Sequence, residues 1–221
     1  MKGLVTFSLL LFFTIAYGRS GELDRYLSSK GMVDVLRIDT TIRVLLKYAT
    51  TDNLFNTAVY SGINGIWLHP HAASKLVKAQ KLLKEKYPGY SLIVYDAARP
   101  MSVQKKMWNL VRGTDKTNYV SNPAKGGGLH NYGMAVDVTI INKSGRALPM
   151  GSTYDYFGEE AHINQEEALL QSGKITREEF DNRRFLRQIM RQAGFRTILY
   201  EWWHFNACSR EDAKRNYTLI E

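Results

Sequence analysis

A carboxylate set inside an apolar strand constrains this chain more than any other feature. Met134 to Ile141 alternates as a strand, with Met134, Val136, Val138 and Ile140 on one face and Ala135, Asp137 and Thr139 on the other. An unpaired carboxylate between such neighbours is costly. The fold must therefore bring a counter-charge to Asp137, either an arginine or a metal ion. The residues just ahead of the strand suit a metal. His130 lies seven positions upstream, and Gly133 lets the chain turn from loop into strand. Ala135 leaves room on the face that carries Asp137, and Gly126-Gly127-Gly128 delivers His130 on a closely approachable backbone.

A second donor pair, Glu201 and His204, stands far along the chain in Glu201-Trp202-Trp203-His204, expected on a last strand from Thr197 to Phe205. A catalytic zinc site takes about three protein ligands and leaves one position open, and imidazole and carboxylate are suitable donors. Taken singly, each residue has a plainer reading. A histidine is more often a surface or core residue than a ligand, Asp137 fits a salt bridge, and Glu201 and His204 fit a surface beside aromatic packing. Taken together, two imidazoles and two carboxylates at glycine- or aromatic-framed strand ends point to a metal. His69, His71 and His162 are not expected to be ligands, although the loop of His162 allows an approach to the site. Cys208 follows His204 by four positions and reads as a partly buried free thiol.

The rest of the chain supplies the frame. With 221 residues, 44% hydrophobic and 23% charged, it has the size and balance of one globular domain. A single cysteine excludes an internal disulfide, so the core, and a metal if present, must hold the fold. Arg37 to Leu46 alternates like a strand and is followed by a polar loop, 47–53. His71 to Tyr87 has helical spacing and ends at Pro88-Gly89. Ser91 to Tyr95 reads as a short strand and Ser102 to Val111 as a helix. Thr176-Arg177-Glu178-Glu179 is a capping box, opening a helix that stops at Gly194. Strands and helices without regular βαβ alternation predict an α+β single domain, a central, mainly antiparallel sheet flanked by helices, with the metal site at strand ends.

Residues 1–18 read as a secretory signal peptide. Lys2 is the positive start, Leu4 to Ala16 the apolar run, and Ala16-Tyr17-Gly18 the cleavage site. The apolar run is shorter than the ~20 residues a membrane span needs, which argues against an uncleaved anchor. The expected mature domain is 19–221, placed in the periplasm or secreted. The formal net charge of +9 suits attraction to anionic cell-envelope polymers. Lys and Arg are dispersed and no nucleic-acid motif is present, so nucleic acid is not an expected partner. No later apolar stretch predicts a membrane span.

The motifs also resemble a known family. His130-x-x-Gly133-x-Ala135-x-Asp137 followed by Glu201-x-x-His204 resembles the zinc D,D-peptidases related to the D-alanyl-D-alanine dipeptidases. Tyr48-Ala49-Thr50-Thr51-Asp52-Asn53, Tyr95-Asp96-Ala97-Ala98-Arg99-Pro100, and the segment from Asn182-Arg183-Arg184 to Ala193-Gly194-Phe195 extend the likeness over roughly residues 35 to 207. The resemblance implies one Zn2+ per chain, held by His130, Asp137 and His204. It implies Glu201 as general base, taking a proton from water and passing it to the leaving amine, and Arg99 as the group that stabilises the oxyanion. The alternative for Arg99 is a salt bridge to Asp96 or another acid. Asp155 matches the family's ammonium anchor and Tyr48 lies in a segment lining the pocket; for both, plain loop structure is the alternative.

One position departs from the family. Its pattern places a substrate-contacting serine two residues before the first histidine, where this chain has Gly128. The implied reaction is hydrolysis of D-alanyl-D-alanine, or a related small D,D-dipeptide, in cell-wall peptide metabolism. Carboxypeptidase or endopeptidase action on longer wall peptides uses the same residues, and a non-catalytic zinc-bearing wall-binding module is a third expectation.

Overall fold

The computed structural model describes residues 21–221; the expected signal peptide lies outside the described residues. In chain order the elements are α1 (Glu22–Ser29), β1 (Val33–Asp34), β2 (Arg43–Val44), β3 (Trp67–Leu68), α2 (Pro70–Lys86), β4 (Ser91–Asp96) and α3 (Met101–Val111). They continue with β5 (Ala135–Ile141), α4 (Glu166–Gln171), α5 (Arg177–Gln192), β6 (Arg196–Thr197), β7 (His204–Asn206) and α6 (Arg210–Asn216). Five strands form one sheet in the order β2-β4-β5-β7-β6, in which only the β2–β4 pair is parallel. β1 and β3 form a separate antiparallel pair. This is the α+β, mainly antiparallel architecture expected.

Packing explains where the long elements lie. α2 starts at His69-Pro70, with proline where a helix needs no N–H, and carries Lys84 and Lys86 at its carbonyl end. Its buried stripe of Ala72, Leu76, Ala79 and Leu83 packs with Leu92 and Val94 of β4 and with Leu186, Ile189 and Met190 of α5. α5 opens on the expected capping box: the Thr176 hydroxyl accepts from the Glu179 N–H, and the Glu179 carboxylate accepts from the Thr176 N–H. β5, at the middle of the sheet, is buried along its whole length on both faces. One face joins the core through Val136, Val138 and Ile140, and the other carries Asp137.

Two expected strands are corrected. Arg37 to Leu46 is not one strand; only Arg43–Val44 pairs, and Ile38 is 56% exposed. Short polar side chains capture the backbone here. Asp34 accepts from the Leu36 N–H at 3.1 Å and Asp39 from the Thr41 N–H at 2.9 Å, turning the chain twice before β2. Thr197 to Phe205 is likewise broken into β6 and β7. The chain leaves the sheet between them because Trp202 and Trp203 are consecutive and both buried, which an alternating strand cannot achieve with one face outward. Glu201 therefore stands on a loop, while His204 begins β7.

Candidate active site

The register of β5 and β7 sets Asp137 directly opposite His204. Cross-strand partners have Cβ atoms about 5 Å apart, so the two side chains meet without any loop having to aim them. The His204 Nδ1 lies 3.0 Å from Asp137 Oδ1. His130 arrives from a short turn, Leu129–Tyr132, that ends at Gly133. Only glycine fits there: φ is +64°, and an added Cβ would lie 2.5 Å from Met32 Sδ and 2.9 Å from the His69 backbone nitrogen. The His130 Nε2 then lies 3.3 Å from Asp137 Oδ1 and 3.2 Å from His204 Nδ1. Asp137 is tied on its other oxygen by the Tyr154 hydroxyl at 2.9 Å.

The outer partners of the two imidazoles decide what the cluster can hold. The His130 Nδ1 sits 2.7 Å from the Ala97 carbonyl, which only accepts, so this nitrogen carries the proton and Nε2 is left with a lone pair. The His204 Nε2 sits 2.8 Å from the Asn206 side-chain oxygen, which places one ring proton there and turns Nδ1 toward Asp137. His130 Nε2, His204 Nδ1 and a carboxylate oxygen thus converge, and the proton that Asp137 draws to His204 Nδ1 holds the place a cation would take. The three ligand atoms lie within 4.8 Å of one another, and no other group of three such side chains converges this way among the described residues. Such a donor set fits a divalent cation of the zinc type.

The titration behaviour of the cluster agrees. Burial alone would raise Asp137, yet His130 and His204 hold its carboxyl far below the ordinary range. Burial opposes charge on His204, yet the hydrogen bond and charge of Asp137, with Glu201 behind them, push it up to about 9. The field at the convergence favours positive charge.

Glu201 stands beside this cluster without joining it, its Oε2 3.8 Å from His204 Nδ1 and its side chain 22% exposed. Burial raises its carboxyl, partly offset by the positive groups around it. Arg99 is 8% exposed. Its Nε and Nη2 both donate to the fully buried Asp96, Nη1 donates to Gln104 at 2.9 Å, and the guanidinium lies 5.2 Å from the Tyr48 ring centre. The salt bridge to Asp96 is therefore present, and Arg99 also faces the cavity. A guanidinium has five N–H donors, and these contacts leave two of them for another partner.

Asp155 occupies a left-handed conformation, φ +58°, unusual for a residue with a side chain. Its oxygens accept from the Tyr48 hydroxyl at 3.0 Å and the Leu54 N–H at 3.1 Å. Burial raises its carboxyl to about 7, against the pull of those two donors, with the Asp137 charge adding to the rise. The loop that carries it is pinned by Arg183 of α5, a buried side chain that donates to the carbonyls of Met150 and Glu160 on either side of Asp155.

All seven residues singled out in the sequence line one cavity of about 370 Å³: Tyr48, Arg99, His130, Asp137, Asp155, Glu201 and His204. A larger surface groove, about 960 Å³, runs over α5 and holds none of them. His69 caps α2, His71 bonds Tyr217 at 2.8 Å, and His162 packs on Tyr200, so none of these joins the cluster. Cys208 lines the cavity as a buried free thiol, outside the convergent set. Sequence reasoning missed the supports: Tyr154 behind Asp137, Asn206 behind His204, and Gln104 behind Arg99. The signals were thin. Tyr154 adjoins Asp155 and Asn206 follows His204 by two positions, which keeps both on one strand face, but Gln104 is an ordinary helical glutamine in sequence.

Two imidazoles and a carboxylate around one point, with a separate acid alongside on an α+β frame, define a metal-dependent hydrolase site. The particular family follows from comparison. The family model described as D-ala-D-ala dipeptidase, of the M15 peptidases, matches residues 28–219, and the chain belongs to this family of metal-dependent peptidases. It is 30% identical over 174 residues to the D-alanyl-D-alanine dipeptidase of Escherichia coli (strain K12), covering 79% of this chain and 83% of that one. It is 31% identical over 175 residues to the D-alanyl-D-alanine dipeptidase of Enterococcus faecium, covering 72% and 82%. The protein of that name from Enterococcus faecalis is 29% identical over 179 residues, again 72% and 82%.

Proposed function

We propose that this peptidase is an exported, zinc-dependent D-alanyl-D-alanine dipeptidase. The observation that carries the reading is the convergence of two imidazole nitrogens and a carboxylate oxygen within 4.8 Å of one another, beside a separate acid in a cavity that also holds Asp155. His130, Asp137 and His204 would hold the ion. When bound, zinc supplies Lewis acidity that polarises a carbonyl and acidifies water.

The chain's own groups do the rest. Glu201 takes the proton of the attacking water and delivers it to the leaving amine as the C–N bond breaks, giving two molecules of D-alanine. Burial keeps its carboxyl basic enough for that exchange. Arg99, held by Asp96 and Gln104, turns its remaining N–H donors on the oxygen that gains charge. Asp155 meets the substrate ammonium. Tyr48 acts through Asp155, since its hydroxyl is spent on that carboxylate.

The deciding experiment is hydrolysis of D-alanyl-D-alanine by chelated and zinc-restored protein. Activity should vanish with chelation and return with zinc; zinc-loaded protein that leaves the dipeptide intact overturns the proposal. Faster cleavage of a pentapeptide ending in D-Ala-D-Ala would move the assignment to a carboxypeptidase. Export rests on the sequence of residues 1–18, and a mature N-terminus at Met1 would refute it. The basic charge supports a loose association with anionic wall polymers, one that should weaken with salt.

A further inference from the structure

We propose that Ser121 supplies a substrate-binding hydroxyl to this cavity, standing in for the side chain that Gly128 lacks; the inference rests on the dipeptidase reading of the same site. Ser121 and Gly128 both line the cavity. A Cβ built on Gly128 would lie 2.8 Å from Ser121 Oγ and 3.4 Å from Ser121 Cβ. The Ser121 side chain thus fills the space into which a side chain at 128 would extend. Backbone conformation does not demand glycine there, since Gly128 has φ −114° and ψ −177°, ordinary extended values. The glycine makes room for the serine.

Ser121 is also deliberately held. Its carbonyl accepts from Gln104 Nε2 at 2.7 Å, and the Oε1 of the same fully buried amide accepts from Arg99 Nη1 at 2.9 Å. One side chain therefore fixes the guanidinium and the Ser121 loop relative to each other. Among the described residues, no hydrogen bond engages the hydroxyl of Ser121, an exposed residue, so that group is open to a ligand entering the cavity as it is to solvent. The neighbouring wall is cationic. Arg210 lines the cavity and donates to the Gly127 carbonyl at 2.8 Å, one residue from Gly128. A hydroxyl and a guanidinium lining one cavity suit the carboxylate end of a dipeptide, while Asp155 takes the ammonium end.

The test is calorimetric titration of D-alanyl-D-alanine into zinc-loaded Glu201→Gln protein, in which the dipeptide binds without turnover. Adding Ser121→Ala should weaken Kd about tenfold, the loss of one hydrogen bond to a charged group. Adding Gly128→Ser to that variant should recover most of the loss, because the hydroxyl returns from the other side of the same space. An unchanged Kd for Ser121→Ala overturns the inference, as does a loss that Gly128→Ser fails to recover. A purely structural serine would lower Tm and leave Kd alone. Wild-type hydrolysis of the dipeptide with a flat Kd series sinks this inference and leaves the dipeptidase reading standing. An intact Kd series with no dipeptide hydrolysis does the reverse, and absence of any dipeptide binding sinks both.

Discussion

The two ends of the cavity are built by different means. The cluster rests on strand register, with Asp137 facing His204 across β5 and β7; His130 joins it from a turn closed by Gly133, and each imidazole is fixed from behind by an oxygen acceptor. Asp155 rests on a loop, in a left-handed conformation, held by Tyr48, Leu54 and the reach of Arg183. Sheet register changes only by a slip that would turn every side chain over, so the first end is all-or-none. Loop geometry changes by degrees, so the second end can be tuned. The convergent donor set sits where the fold is rigid, and Asp155 sits where it is adjustable.

The sharpest way to break that contrast is at the rigid end. His130→Ala should abolish metal binding and hydrolysis together, measured as zinc per chain and as turnover, because two donors do not make a zinc site. A variant that keeps stoichiometric zinc would show that the register-built cluster is not the ligand set. Glu201→Gln should keep the zinc and lose about 10²–10⁴ in kcat, the usual worth of a positioned proton-transfer group. Zinc retained with kcat lost separates the acid from the ligands; the two falling together would make Glu201 a ligand.

The same contrast explains what was legible before any coordinates. β5, α2, α3 and α5 were readable to within about two residues, because their apolar periods are long and the helix ends carry Pro88-Gly89, the Thr176 capping box and Gly194. The convergence of His130, Asp137 and His204 was readable because a carboxylate in an apolar strand has few ways to be compensated. Arg37 to Leu46 misled, since its alternation is real but Asp34 and Asp39 bind the backbone more locally than a neighbouring strand can. The 198–203 loop was hidden because two adjacent tryptophans seeking burial leave no periodic trace. The supports Tyr154 and Asn206 carry only thin signatures and Gln104 none, as their value lies in which long-range partner they meet.

At the adjustable end, Asp155→Asn should raise KM for the dipeptide about 10- to 100-fold, the worth of a charged hydrogen bond, with a smaller change in kcat. Its pH behaviour gives a second check. The wild-type carboxyl, at about 7 in the fold against an ordinary 3.8, is neutral below that value and charged above it. Affinity for an ammonium should therefore fall as pH drops through 7, and the asparagine variant should lack that limb. Stability runs the opposite way. Between about pH 4 and 7 the native carboxyl keeps a proton that the unfolded chain has released, so folding weakens as pH rises through this window. Asp155→Asn should remove that decline, read as a Tm that changes less between pH 5 and 8 than in the wild type.

The smallest effect sharpens the assignment of Tyr48. Its hydroxyl donates to Asp155 Oδ1, and burial pushes its own phenol well up, so it remains a donor at all working pH values. A donor to the charged form lowers a carboxyl. Tyr48→Phe should therefore move the acid limb of kcat/KM to higher pH, and above that limb KM should stay within a few-fold of wild type. A tyrosine that instead met the substrate directly would raise KM equally at every pH and leave the limb in place. The direction of that one shift separates a group that binds substrate from a group that keeps its anchor charged.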